Sequence, residues 1–145
     1  LNGKEPKMHI DQADLFEGTD RLFIRGFMAL TAKERYAKGD FIFHVGDKAD
    51  FFYTLMEGCV KISIGDDEIE VYTINHSGEA FGLSSILDRN YYFASASCLE
   101  PTQILKIEGN SLNQFLQDHP KNSSIFYKRI ANRLAQRLVE CYKII

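Results

Sequence analysis

The sequence predicts a single, mainly β domain of sandwich or jelly-roll type, spanning residues 1–145, with helices at both ends. Short runs of strand-forming residues alternate with turn signals through the middle of the chain, a spacing typical of antiparallel β proteins. The two ends instead carry apolar residues at helical spacing. With 145 residues, 45% of them hydrophobic and 26% charged, the chain can bury one core.

The N-terminal part, residues 11–32, predicts short helices. Apolar side chains recur there at roughly helical spacing, and Gly18 and Gly26 interrupt the pattern. Glycine weakens a helix because it loses more backbone freedom than other residues. The apolar positions are Leu15, Phe16, Leu22, Phe23, Phe27, Met28 and Leu30.

The middle of the chain predicts at least five strands, separated by turns that contain Gly and Asp. Residues 41–45 place Phe41, Phe43 and Val45 on one face, and residues 68–71 also alternate. Alternation with a period of two indicates a half-buried strand. The remaining runs are 59–64, in which Val60, Ile62 and Ile64 share a face, 93–99, and 102–107 after Pro101.

The C-terminal part predicts two helices. Residues 111–117 form the first, with Asn110 as its N-cap, and Pro120 opens a long helix over 121–145. Within it, Ile125, Phe126 and Ile130 could face the β-roll. A second stripe steps by 4, 3, 4, 3, 4 through Tyr127, Ala131, Leu134, Leu138, Cys141 and Ile145. This stripe predicts a homodimer through residues 121–145; the alternative is that the whole helix packs on its own domain.

Composition argues against several functions. The 17 Lys and Arg against 20 Asp and Glu give a net charge of −3, which disfavours direct nucleic-acid binding. Apolar runs are too short to span a membrane, and the polar start shows no signal peptide, so we expect a cytoplasmic protein. The scattered cysteines, Cys59, Cys98 and Cys141, predict a reducing compartment and no metal site. No motif of a catalytic nucleophile is visible, so we do not expect an enzyme.

Three longer runs resemble one family. They are YAKGDFIFHVGDKADFFYTLMEGCVKISI, HSGEAFGLSSIL and FASASCLEPTQILKI, and together they resemble the cyclic-nucleotide-binding domain, in particular the sensor domain of cyclic-AMP receptor and FNR-type regulators. The resemblance covers roughly residues 15–145, with glycines 39, 46, 58, 78 and 82 at the family's turns. It implies an eight-stranded jelly roll, a phosphate-binding cassette and a dimerising C-terminal helix.

The resemblance also implies a ligand-binding segment that follows the turn at Gly78. Exposed backbone N–H groups and serine hydroxyls at the start of a short helix favour an anion. The alternative is that the two serines merely cap a surface helix. The predicted ligand-binding residues are Gly78, Phe81, Gly82, Leu83, Ser84, Ser85, Tyr92 and Phe93.

Two of these positions depart from the family pattern. Leu83 stands where nucleotide-binding members have a glutamate for the ribose, and Tyr92 stands where they have an arginine for the phosphate, with Arg89 as an alternative cation. The segment therefore predicts a small-molecule effector that is hydrophobic or flat, such as an aromatic compound or a haem. An atypical cyclic nucleotide site and a pocket that has lost its ligand are the alternatives. His76 could be an axial haem ligand or a turn residue bonded to backbone.

The sequence also leaves open how such a module passes on its signal. Receptor-type regulators continue past the long helix into a helix-turn-helix, whereas this sequence stops at Ile145. The sequence therefore leaves two interpretations, a sensor fragment of a regulator and a separate module that signals through its dimer or a partner.

Overall fold

The structure, a computed structural model, describes residues 14–143. Within that range eight strands form two antiparallel sheets of four strands each, in the orders β1-β8-β3-β6 and β2-β7-β4-β5. This confirms the mainly β fold class and the eight strands that the resemblance implied. The strands are β1 Ala32–Tyr36, β2 Phe41–Phe43, β3 Phe51–Glu57, β4 Val60–Ile64, β5 Ile69–Ile74, β6 Ala80–Phe81, β7 Ser95–Cys98 and β8 Thr102–Glu108.

Helices lie at both ends, as predicted. The first is a short 3-10 helix, Asp14–Phe16, followed by α1 Arg21–Ala29, in which the Asp20 side chain caps the N-terminus by accepting from Phe23 N–H at 2.8 Å. A second 3-10 helix, Leu83–Ile86, follows β6. At the C-terminal end, α2 Gly109–Asp118 leads directly into α3 Pro120–Tyr142.

The core has two parts. In the first, the inner faces of both sheets meet, and its members include Phe43, Tyr53, Leu55, Val60, Ile62, Ile74, Phe81, Tyr92, Ala96 and Ile104. In the second, the helices pack against the end of the roll, through Phe16, Phe23, Phe27, Phe52, Ile86, Ile107, Leu112, Leu116, Phe126 and Ile130. Because helix α3 shares the second part, burial of apolar surface holds it beside the roll.

Several predicted strand limits were wrong. Strand β2 ends at Phe43, because His44 and Asp47 close a turn that leaves Val45 47% exposed. Strand β4 does bury Val60 and Ile62, but Ile64 is 44% exposed where the strand reaches its hairpin turn. The run at 68–71 extends to residue 74, and the run at 93–99 shortens to residues 95–98.

Two predicted helix features were also wrong. Gly26 does not interrupt a helix but lies inside α1, where an added Cβ would be 2.5 Å from Cε1 of Phe115 on α2. Its lack of a side chain lets the two helices approach. Asn110 is not the N-cap of α2, since the helix begins two residues earlier than predicted, at Gly109, with Glu108 in the cap position.

Helix α3 has an inward and an outward face. Phe126 and Ile130 are buried as predicted, with Ser123 and Arg137 beside them. On the outward face, Leu134 is 40% exposed and Leu138 is 52% exposed. Cys141 departs from the predicted stripe because it is half-buried with its Sγ 3.9 Å from the Val71 carbonyl oxygen, and Ile145 lies outside the described residues. No helix in residues 14–143 is both long and apolar enough to cross a membrane.

Candidate functional site

The candidate site begins at a turn between β5 and β6. Gly78 adopts a left-handed conformation with φ of 87°, and its N–H donates to the Leu55 carbonyl at 2.7 Å. The Ser77 hydroxyl donates to the Met56 carbonyl at 2.8 Å. Both bonds go to strand β3, so the turn is fixed against an inner strand of its sheet and directs the chain into β6.

Gly82 requires glycine for two reasons. Its φ of 72° lies in the left-handed region, which L-residues with a side chain disfavour. An added Cβ would also be 2.8 Å from Cδ2 of Tyr53 and 3.0 Å from the Phe51 carbonyl oxygen. The glycine therefore lets the chain pass closely over β3 and enter the 3-10 helix Leu83–Ile86.

The two serines of this 3-10 helix differ in their roles. Ser85 is buried, and its hydroxyl donates to the Gly82 carbonyl at 2.8 Å, so this side chain stabilises the turn. Ser84 is also buried but lines a cavity next to the helix. Neither serine side chain caps this helix, since the Ser85 hydroxyl donates to a carbonyl and the N-cap residue is Gly82. Ser84 remains a candidate to contact a ligand.

The cavity, which we call the roll cavity, has a volume of about 210 Å³ and is enclosed by the segment after β6, by the roll interior and by α3. Its lining is mainly apolar. The exposed positions of Leu87 and Phe93 show that the cavity reaches the surface. The lining residues are Phe43, Ile62, Tyr72, Phe81, Gly82, Leu83, Ser84, Leu87, Tyr92, Phe93, Ala94, Leu134 and Arg137.

Tyr92 presents its ring to the cavity and its hydroxyl to the protein backbone. The hydroxyl donates to the Phe51 carbonyl at 2.6 Å and accepts from the Phe51 N–H at 3.1 Å. Its ring stacks on Phe43 with centroids 3.8 Å apart. Burial of this side chain raises the pKa of Tyr92 to about 12. Because both bonds of the hydroxyl go to the protein, Tyr92 offers a ligand an aromatic surface.

A cation also lies near the mouth of the cavity. The Arg89 guanidinium carbon lies 4.7 Å from the centroid of the Phe93 ring, in cation–π geometry. Phe93 is 59% exposed. Arg89 does not itself line the roll cavity, so in this structure it does not take the place of an arginine at position 92.

Arg137 is a functional candidate that the sequence reasoning missed. It lies on the inward face of α3, is only 7% exposed and lines the roll cavity. Its Nη1 donates to the Tyr72 hydroxyl at 3.4 Å, and its Nη2 donates to Glu79 Oε2 at 3.3 Å and to the Ala80 carbonyl. The spacing that placed Phe126 and Ile130 inward could have found it, because Arg137 follows Ile130 by seven residues.

The hydrogen bonding of Arg137 is incomplete. Its Nε is buried and has no hydrogen-bond partner among the described residues. The bonds to Tyr72 and Glu79, at 3.4 and 3.3 Å, are longer than charge-assisted bonds of about 2.7–2.9 Å. A buried donor without a partner costs about 1–3 kcal/mol. The guanidinium is thus held in the protein but retains capacity to bind an acceptor.

A second cavity, also of about 210 Å³, shares Leu83 and Arg137 with the roll cavity and is lined by two of the other candidate residues. Gly78 and His76 line it, together with Glu79, Arg129 and Arg133. The His76 side chain is 75% exposed, and its Nδ1 lies 3.7 Å from Glu79 Oε1. His76 is therefore a turn residue, and it is not positioned to ligate a haem in the roll cavity.

Of the eight predicted residues, six line the roll cavity: Phe81, Gly82, Leu83, Ser84, Tyr92 and Phe93. Gly78 lines the second cavity, and Ser85 lines neither but bonds to Gly82. Leu134, from the predicted dimer stripe, also lines the roll cavity.

In the described range 14–143, no group of three or more His, Cys, Asp or Glu residues could hold a metal ion. Burial raises the pKa of the Cys98 thiol, so that side chain is a poor nucleophile.

Comparison with known proteins identifies relatives of the domain. A family model for the cyclic nucleotide-binding domain matches residues 33–119, more than half of the chain. A CRP-like cAMP-activated global transcriptional regulator of Mycobacterium tuberculosis is 24% identical over 125 residues, which cover 85% of this chain and 56% of the relative. A global nitrogen regulator of Synechococcus elongatus is 27% identical over 108 residues, covering 71% of this chain and 48% of the relative. The chain therefore spans about half the length of these curated relatives.

Solved structures give the same fold. The sensor domain of the transcriptional regulator DNR from Pseudomonas aeruginosa is 25% identical, with a TM-score of 0.71 over 90% of this chain and 89% of that one. The catabolite activator protein of Thermus thermophilus is 24% identical, with a TM-score of 0.73 over 88% of this chain and 59% of that one.

Proposed function

Because the chain belongs to the cyclic nucleotide-binding domain family, we propose that it is a non-enzymatic module that senses a small-molecule effector and signals through α3. One observation carries this proposal. The roll cavity has the segment after β6 on one side and Leu134 and Arg137 of α3 on the other. A ligand in this cavity would contact both, so its binding energy would depend on where α3 lies.

The lining of the cavity supports an effector other than an ordinary cyclic nucleotide. Leu83 supplies no acceptor for a ribose hydroxyl, and the Tyr92 hydroxyl is bonded to the backbone of Phe51. Loss of a charge-assisted bond of about 1.5–3 kcal/mol weakens binding roughly 10- to 150-fold. A ribose hydroxyl without a partner costs about 1–3 kcal/mol more. We therefore expect dissociation constants of roughly tens of micromolar or weaker for cyclic AMP and cyclic GMP.

Isothermal titration calorimetry with cyclic AMP and cyclic GMP tests this part of the proposal. Weak or undetectable heats are expected for both nucleotides. A Leu83→Glu variant restores an acceptor at that position, and any residual binding of a cyclic nucleotide should then strengthen. Submicromolar binding to the unaltered protein would show that other groups, such as Arg89 or Arg137, supply the missing contacts, and it would make the protein an ordinary cyclic nucleotide sensor.

The cavity itself is tested with a neutral aromatic probe. Indole is expected to shift the NMR signals of the Leu83, Leu87 and Leu134 methyl groups, because these side chains line the roll cavity. An Ala94→Phe variant fills the cavity and should abolish the shifts. If indole moves none of these signals, the roll cavity is not a binding site and the sensing role fails.

Signalling is proposed to use the outward face of α3 in a homodimer. Tyr127, Leu134 and Leu138 of the predicted stripe are 38–52% exposed along this helix, and Val139 and Tyr142, outside the stripe, are 47% and 60% exposed. An apolar stripe of this kind is stabilised by pairing with the same stripe of a second copy about a two-fold axis. Since Leu134 also lines the roll cavity, occupancy of the cavity would be linked to the contact between copies.

A further inference from the structure

We propose that the effector is a small apolar acid, and that Arg137 of α3 binds its carboxylate in the roll cavity. This inference rests on the proposed sensing function and names the chemical class of the ligand. Among the described residues that line the cavity, Arg137 alone carries a charge. A single cation in an otherwise apolar lining selects a ligand with one anionic group and an apolar body.

The position of the charge that balances Arg137 supports this assignment. Glu79 accepts from Nη2 at 3.3 Å but does not line the roll cavity; it lines two other cavities that Arg137 also lines. Glu79 therefore does not occupy the space of the roll cavity. A ligand carboxylate could bind Arg137 while Glu79 remains in place.

The unused hydrogen-bond donors of Arg137 also support an anionic ligand. A guanidinium has five N–H donors in a planar fork that matches a carboxylate. In this structure Nη1 and Nη2 make contacts of 3.4 and 3.3 Å to Tyr72 and Glu79, and Nε has no partner in the described range. The Ala80 carbonyl also accepts from Nη2. A carboxylate at the cavity side would add a charge-assisted bond to the donors that remain.

The cavity volume limits the size of the acid. At about 210 Å³, it is smaller than the roughly 300–1,000 Å³ of pockets for drug-sized ligands. The aromatic rings of Phe43 and Tyr92, stacked at 3.8 Å, and the Leu83 side chain form apolar walls. A body of one ring or a short alkyl chain suits this space, and the ring of Tyr72, 4.9 Å from the guanidinium carbon, lies beside the charge.

The test compares acids with their neutral isosteres on the same chain. Benzoate and hexanoate are titrated against benzamide and hexanamide, with the Leu87 and Leu134 methyl signals as the readout, because these two side chains line the roll cavity and not the second cavity. Each acid should bind at least about tenfold more tightly than its amide, as one charge-assisted bond implies. Arg137→Gln should remove this preference. Arg129→Gln on the same helix should keep it, because Arg129 lines the second cavity and not the roll cavity.

A second variant keeps the proposal falsifiable if Arg137→Gln fails to fold. Glu79→Gln removes the carboxylate that shares the guanidinium, so the affinity for benzoate should rise several-fold while that for benzamide stays unchanged. Equal binding of acid and amide, or a Glu79→Gln variant with unchanged or weaker benzoate binding, would overturn the proposal.

The remaining outcomes separate this inference from the sensing function. Tight cyclic AMP binding that is lost in Arg137→Gln would also overturn it, because the arginine would then bind a phosphate. If benzamide and indole shift the methyl signals as strongly as benzoate does, the cavity binds ligands and only the assignment of the acid fails. If none of these compounds shifts them, the cavity itself fails and both proposals are wrong.

Discussion

Replacing Tyr92 with phenylalanine tests whether its hydroxyl stabilises the backbone at Phe51, the first residue of strand β3. Strand β6 pairs with β3 only at Tyr53 and Thr54, and the Tyr92 hydroxyl bonds both the N–H and the carbonyl of Phe51 just beyond that pairing. The variant keeps the ring on Phe43 and removes only an oxygen atom, so the main loss is the two hydrogen bonds to Phe51. At about 1 kcal/mol for each bond, the free energy of unfolding should fall by about 2 kcal/mol.

Urea denaturation followed by circular dichroism measures this loss, and the melting temperature should fall by about 6 °C. Tyr91→Phe is the matched control, because Tyr91 is 60% exposed and its substitution should change stability by less than about 0.5 kcal/mol. If Tyr92→Phe is as stable as the control, water replaces the hydroxyl at Phe51 without cost. The proposed contribution of the Tyr92 hydroxyl to stability is then wrong.

Three further predictions concern pH, backbone conformation and assembly. Burial raises the pKa of Tyr92 to about 12 and also raises the pKa of Tyr53. The stability that these neutral phenols contribute should therefore be complete below about pH 10 and be lost as the pH rises towards 12. A profile of stability against alkaline pH without that loss would contradict this. Gly82→Ala should lower the free energy of unfolding by about 2 kcal/mol or more, because φ is positive and the new Cβ would lie 2.8 Å from Tyr53. Gly65→Ala, with φ of 78° and no atom within 4 Å of its Cβ, should show the conformational cost alone. Equal losses of stability in urea would refute the contribution of the close contact. Leu138→Asp should make the protein monomeric in light scattering with its circular dichroism unchanged, because an unpaired charge in an apolar interface is unfavourable; a wild type that is already monomeric at high concentration would refute the dimer.

The strands show which sequence signals were reliable. Strand β4 was predicted because Val60 and Ile62 alternate with polar neighbours, and both are buried. Strand β3 carries no such alternation, because residues 52–56 are all buried between neighbouring elements, and only the resemblance to a family implied it. A strand that is covered on both faces cannot be distinguished from other buried segments by its periodicity.

In the candidate site, features that depend on local contacts were predicted, and features that depend on distant contacts were missed. Gly82 and the serines after it were found because turn chemistry acts over a few residues. Arg137 was missed because its partners, Tyr72 and Glu79, lie 65 and 58 residues away. The helical spacing from Ile130 places Arg137 on the inward face of α3, but only the fold shows which groups it meets there.

The sequence by itself determined the fold class, the turns and the two-sided character of α3, since each depends on local conformational preferences and on short periodicities. Only the tertiary structure decided which side chains face the roll cavity. It turned the Tyr92 hydroxyl to the backbone of Phe51, placed Arg137 between that cavity and Glu79, and brought Leu134 to the cavity wall. These placements follow from how α3 packs against the roll, and that packing joins residues that are far apart in the chain.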